Sequence, residues 1–211
     1  MDAEETLAQI AKEVSVCTNC VLHQSRKKAV PGEGSAHAEI MFIGEGPGFH
    51  ENEQGRPFVG ASGKFLDQLL AQAGVTRADV FIANVVKCRP PENRDPQPAE
   101  LEACNKYLER QIEAINPSII VTLGRFSMNK FMKGAKISQI HGEMSKVGDR
   151  YVIAMFHPAA ALHQAALKPT ILADFAKLPD LLNKARNALG RPIKETIKEE
   201  PRDDPKQLNL F

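Results

Sequence analysis

Neither an excess of charge nor a long apolar run is found in this 211-residue sequence. Lys plus Arg number 27 against 26 Asp plus Glu, a formal net charge of +1. Bulk charge therefore cannot hold nucleic acid, although a local basic groove still can. No apolar stretch approaches the length needed to cross a bilayer. The opening MDAEETLAQI is acidic, with no basic stretch ahead of an apolar one, so no secretory leader is expected and the expected location is cytoplasmic. Internal repeats are missing. Cysteine is scarce, and in a reducing compartment the four present are expected as metal ligands, reactive thiols or packed side chains rather than as two disulfides. The remainder, 43% hydrophobic and 25% charged, can bury the core of one ordinary domain.

Periodicity divides that domain into alternating strands and helices. Residues 4–16 carry Leu7, Ile10 and Val14 on one helical face. Residues 38–43 form a short apolar strand that runs into the turn GEGPG, residues 44–48. Residues 61–73 are an amphipathic helix with Ser62 as its expected cap, Phe65, Leu66, Leu69 and Leu70 inward, and Gly74 as its stop. Strands are expected at 80–86, 118–123 and 151–156, a helix at 98–115, and further helices at 159–166 and 170–188. The alternation predicts an α/β fold of three layers, with a central, mainly parallel four-stranded sheet between helices. Ligands of such sheets sit beyond the carboxyl ends of the strands. Those ends carry Glu45, Asn84 and His157, so topology alone brings three polar groups to one crevice.

The domain is expected over residues 1–189, and a flexible tail over 190–211. After Gly190 the chain is rich in proline and charge with almost nothing to bury, which reads as a tether. It nevertheless ends in Leu208-Asn-Leu-Phe211, and a solvated tail has no folding reason for such an ending.

Two motifs leave alternatives open when read from residues alone. The glycine turn Gly44-x-Gly46-x-Gly48 lacks the G-x-G-x-x-G spacing, and Pro47 removes a backbone donor, so a dinucleotide is set aside in favour of a tight strand exit or close backbone approach to a flat ligand. Cys17-x-x-Cys20 with Cys88 and Cys104 suits tetrahedral zinc or a four-iron cluster, zinc being the commoner. Cys104 taken alone, on an apolar helix stripe, reads as a packed side chain.

Three blocks then carry a resemblance. GEGPGFHENEQGRPFVGASG (44–63), NVVKCRPPENR (84–94) and HPAAAL (157–162) resemble, in order and spacing, the motifs of family 4 uracil-DNA glycosylases, the iron–sulfur enzymes of bacteria and archaea; the similarity spans roughly residues 17–182. It implies a monofunctional glycosylase that flips uracil out of DNA and hydrolyses its N-glycosidic bond. It implies a [4Fe–4S] cluster on Cys17, Cys20, Cys88 and Cys104, in a structural role. Phe58 is implied to stack on the base, Asn84 to pair with its O4 and N3–H, and Glu51 to crowd C5 against thymine. His157 is implied to donate to O2. Glu45, with the backbone of Gly44 and Gly46, is implied to position the attacking water.

Arg89 and Arg94, between two of the cysteines, could offer cations to phosphates. Asn52 and the pair Phe49-His50 depart from the family pattern, Asn52 bearing on the water or sugar environment and His50 being expected in solvent. A related group traps uracil-DNA covalently through a histidine in an insertion after the second strand; this sequence has no such insertion, and His141 is a poor substitute. The tail carries a second resemblance: Gln207-Leu-Asn-Leu-Phe211 resembles the pentapeptide by which bacterial repair proteins dock on the sliding clamp. The implied partners are uracil-containing DNA and that clamp, with no membrane and a monomeric protein.

Overall fold

Alternation of side chains across one sheet sets the architecture. A computed structural model describes residues 1–191. Its strands are β1 (Glu33–Gly34), β2 (Ile40–Gly44), β3 (Phe81–Asn84), β4 (Ile119–Leu123), β5 (Met144–Val147) and β6 (Arg150–Met155), in the order β1-β3-β2-β4-β6-β5. Its helices are α1 (Ala3–Val16), α2 (Phe49–Gln54), α3 (Ala61–Gln72), α4 (Pro98–Ile115), α5 (Arg125–Phe131), α6 (Ile137–Ile140), α7 (Pro158–His163), α8 (Lys168–Ala176) and α9 (Leu178–Leu189).

The four expected strands are β2, β3, β4 and β6, and they pair parallel. The sheet is larger than expected, with six strands. β1 and β5 add antiparallel edges on β3 and β6. Neither edge has a run of buried apolar residues to announce it: β1 has two residues, and β5 is only partly buried.

The inner strands are buried on both sides, as parallel strands between helices must be. Phe42, Ile82, Val121 and Ile153 face one core with Leu66 and Leu69 of α3, Phe175 of α8 and Leu182 of α9. Their neighbours Met41, Ile43, Phe81, Ile120 and Val152 face the other, with Leu108 and Ile112 of α4. Each large side chain buried this way contributes about 1.5–3 kcal/mol. A third, smaller core joins Ile10 and Val14 of α1 to Tyr107 of α4, with Cys88 and Cys104 inside it and Cys17 and Cys20 packed against it.

Three helix expectations are corrected. Gly60, not Ser62, caps α3. The helix expected over 170–188 is two, because Pro179 cannot stand in a helix interior without removing a backbone bond, and the break falls at Lys177. The helix expected over 159–166 stops at His163 and continues as a single 3-10 turn, Ala165–Leu167.

The loop between α2 and α3 is held under strain. It passes through Phe58 at φ 52, a left-handed conformation that is unfavourable for a residue with a side chain. α3 packs so tightly beneath it that a Cβ on Gly63 would stand 1.8 Å from the Phe58 carbonyl oxygen. Gly63→Ala is therefore expected to lower stability by about 1–3 kcal/mol or more, read from the denaturation midpoint. An equally stable variant would show that the loop moves aside freely.

Candidate functional site: a crevice at the strand ends

The carboxyl ends of β2, β3 and β6 open into a crevice of about 600 Å3. Glu45, Gly46, Glu51, Phe58, Asn84 and His157 all line it, so six of the seven sequence-predicted crevice residues share one cavity, with Gly48 of the glycine turn beside them. Gly44 is the exception. It ends β2 behind the wall, where a Cβ would fall 2.5 Å from Asn84 Oδ1 and 2.7 Å from the Phe58 ring. Its contribution is the missing side chain, which lets Asn84 and Phe58 close together.

Asn84 ends β3, 2% exposed, and its Oδ1 has no hydrogen-bond partner. Leaving a buried acceptor unpaired costs about 1–3 kcal/mol. Such an orphan in a cavity wall marks where a ligand donor fits.

Phe58 is 4% exposed and belongs to the apolar core beneath α3, yet it also forms crevice wall. Its ring lies against His157, with centroids 5.4 Å apart and planes 26° from parallel. Two side chains hold its loop. Glu51 Oε1 accepts the amides of Val59 at 2.8 Å and Gly60 at 2.9 Å, while Oε2 accepts that of Gly48 at 3.1 Å. Arg77 donates to the carbonyls of Pro57, at 3.0 Å, and Phe58, and is itself fixed by Asp67 at 2.6 Å. Glu51 thus ties both sides of the crevice through backbone amides, a task its sequence position did not announce.

His157 caps α7, and its Nδ1 accepts the Ala159 amide at 3.1 Å. That bond leaves Nδ1 without a proton, so the neutral ring carries its hydrogen on Nε2. Burial pushes the pKa down from 6.5 to about 4, with the nearby Glu51 charge opposing. Glu45 moves the other way: desolvation first, then Asp95, hold its carboxyl above the ordinary range, while Arg125 pulls it down.

Several expectations need correction. Asn52 is buried and is not among the residues lining the crevice; its Oδ1 accepts the Lys27 amide at 2.8 Å. Arg94 lines the crevice, but its guanidinium is held by Glu100 at 2.6 and 2.9 Å. Arg89 has no carboxylate partner among the described residues and bonds Asn93 Oδ1 at 2.8 Å. His141 is paired with Asp174 of α8 at 2.6 Å and does not line the crevice. His50 is exposed, as expected. Ser62, Asp95 and His163 also line the crevice and were missed. Only His163, directly after the block 157–162, carried a signal.

The four cysteines meet elsewhere. Cys17 ends α1, Cys20 precedes the 3-10 turn Val21–Gln24, Cys88 follows β3, and Cys104 lies on α4; all four are free thiols lining one small cavity with Arg26, Lys87 and Tyr107. Cys104 packs in the third core and also lines that cavity. Among the described residues no three His, Cys, Asp or Glu side chains converge closely enough for a single ion; tetrahedral zinc would need sulfurs about 3.8 Å apart. Four thiols around one cavity are a donor set that a zinc ion and an iron–sulfur cluster share. Cations stand ready: Arg26 donates to Cys88 Sγ at 3.3 Å, and buried Lys87 bonds Gln111 at 2.6 Å. Burial pushes the Cys104 thiol up to about 11, against the pull of Lys87.

Fold and site together define an α/β protein with a crevice at the strand ends, walled by an aromatic ring, an amide whose oxygen is unpaired and a neutral imidazole. Residues 31–186 match the uracil DNA glycosylase superfamily. The type-4 uracil-DNA glycosylase of Archaeoglobus fulgidus is 45% identical over 195 residues, 88% of this chain and 98% of that protein. Those of Saccharolobus solfataricus and Thermotoga maritima are 45% and 42% identical, covering 85% and 86% of this chain and 88% and 97% of theirs. The chain belongs to the uracil DNA glycosylase superfamily, within its type-4 family.

The imidazole carries a direct test. Folded His157, with its lowered pKa, resists the proton that the unfolded chain accepts. Its contribution to stability is complete above pH 6.5 and is lost as pH falls toward about 4. Nitrogen-15 spectra of the folded protein at pH 6 should show a neutral His157 protonated on Nε2. A titration midpoint near 6.5 would contradict this environment.

Proposed function

We propose that this chain is a monofunctional uracil-DNA glycosylase that turns uracil out of DNA and hydrolyses its N1–C1′ bond, leaving an abasic site. The observation that carries the reading is the unpartnered Asn84 Oδ1 in the crevice wall. Uracil N3–H supplies the missing donor, and its O4 accepts from the same amide. Cytosine offers an acceptor at N3 and a donor at position 4, so both contacts are mispaired, and rejection of about 10⁴-fold is within reach of such a site.

The remaining wall divides the work. Phe58 stacks on the everted base, replacing part of the lost duplex stacking. Glu51, fixed by three backbone amides, is rigid bulk where the thymine methyl would enter. As the N1–C1′ bond breaks, its electron pair leaves with uracil and negative charge gathers on O2, where the Nε2–H of His157 stabilises it. A neutral donor suffices for this and stays neutral across physiological pH. Water adds to the electron-poor C1′, positioned by Glu45 and the Gly46 backbone, and its proton passes to the departing base. The Glu45 carboxylate also faces the positive sugar.

Cys17, Cys20, Cys88 and Cys104 would hold a [4Fe–4S] cluster. When bound it would join α1, the segment after β3 and α4 through their cysteine sulfurs, and glycosyl hydrolysis would draw no electron from it. Arg26 and Lys87 would offset its negative charge. The tail from Gly190 would be a tether that presents residues 207–211 to a sliding clamp; that pentapeptide lies outside the described residues, and the sequence alone supports this part.

Covalent trapping without turnover finds less support, because His141 is bound to Asp174 outside the crevice. Uracil release from single-stranded DNA tests the reading: wild type is expected to leave free uracil and an alkali-labile site, and Asn84→Ala and His157→Ala to fold normally and release it at least about a hundredfold more slowly. A denaturant-resistant adduct with no free uracil would overturn it. The purified protein is expected to be brown, absorbing near ~400 nm, and to lose both colour and melting temperature in Cys88→Ala. A colourless, equally stable wild type binding zinc would exclude the cluster.

A further inference from the structure

Phe49 is an aromatic residue with no packing role. It is 55% exposed and belongs to none of the three cores, so folding does not account for it. Its place is the crevice rim: it follows Gly48 and opens α2, and Gly48 is crevice wall. Arg89, from the segment after β3, lies over the ring at 5.5 Å from its centroid, and His50 stands across it at 5.5 Å and 82°. Arg89 in turn bonds Asn93, which with Pro90 also lines the crevice. More than half of the Phe49 surface is left to solvent. Arg94 and Arg125 are held by Glu100 and Asp95, whereas the Arg89 charge has no carboxylate partner among the described residues.

We infer that Phe49 and Arg89 form a stacking subsite for the nucleobase next to the target nucleotide, with Phe49 taking the base face and Arg89 the adjoining phosphate. This rests on the glycosylase reading, because it places the target nucleotide in the crevice. An exposed aromatic ring beside an unpaired guanidinium is the pairing that tracks single-stranded nucleic acid: the ring accepts any base, and the cation neutralises the backbone. Duplex DNA keeps the neighbouring base stacked on its own strand, so the subsite favours single strands or frayed ends.

The test uses the full chain and uracil-containing single strands, with intact flanks or with an abasic linker replacing the base on one side or the other. Binding is followed by fluorescence anisotropy and turnover by uracil release. Phe49→Ala should weaken binding and raise KM about tenfold with kcat unchanged, and Phe49→Trp should restore both. Removing the base on one flank should reproduce that loss in wild type and leave Phe49→Ala unaffected by the same change. Arg89→Gln should weaken binding on every strand and flatten its salt dependence. Binding by Phe49→Ala within about twofold of wild type, or a loss indifferent to which flank lacks its base, overturns the inference. Flank-dependent binding without uracil release would sink the glycosylase reading and keep the subsite.

Discussion

A buried acceptor without a donor is expensive to hold, and here the fold holds one at the end of a parallel strand. Asn84 is 2% exposed and its Oδ1 is unpaired. Everything around it keeps that state from relaxing. The strand register fixes Asn84 beside Gly44, and the space a Gly44 side chain would take is already filled by the amide and the Phe58 ring. In the proposed reading the penalty is relieved only by a ligand with a donor at the right height, which makes the unbound site part of the specificity.

The second constraint is the strained turn at Phe58. A left-handed phenylalanine does not stay put unaided. Glu51 grips the amides after it, Arg77 the carbonyls at it, and Gly63 admits α3 directly beneath it. The ring is thereby fixed against His157, so the aromatic surface and the imidazole form one rigid corner. Preorganisation of this kind is what electrostatic stabilisation of a leaving anion needs, since a donor that must first turn into place loses much of its effect.

How much of this could be read from residues depended on whether the signal was local. The four parallel strands, and the convergence of Glu45, Asn84 and His157, follow from short-range pattern and topology. So does the gathering of four thiols once CxxC is joined to Cys88 and Cys104. The edge strands were illegible, because two residues at β1 and a half-buried β5 have no periodicity to detect. Glu51 as a tie between loops, and Asn52 as a bond to Lys27, were illegible for another reason: both depend on partners brought together by the fold. The two-helix end of the domain was legible and was missed, for Pro179 stood in plain sight.

The central claim is that one amide and one neutral imidazole meet two edges of a pyrimidine whose face lies on Phe58. A crystal structure of the protein with free uracil tests it most directly. The account predicts uracil flat against Phe58, N3–H on Asn84 Oδ1 and O2 on His157 Nε2. Uracil bound with Asn84 Oδ1 still unpaired, or outside this crevice altogether, would contradict it.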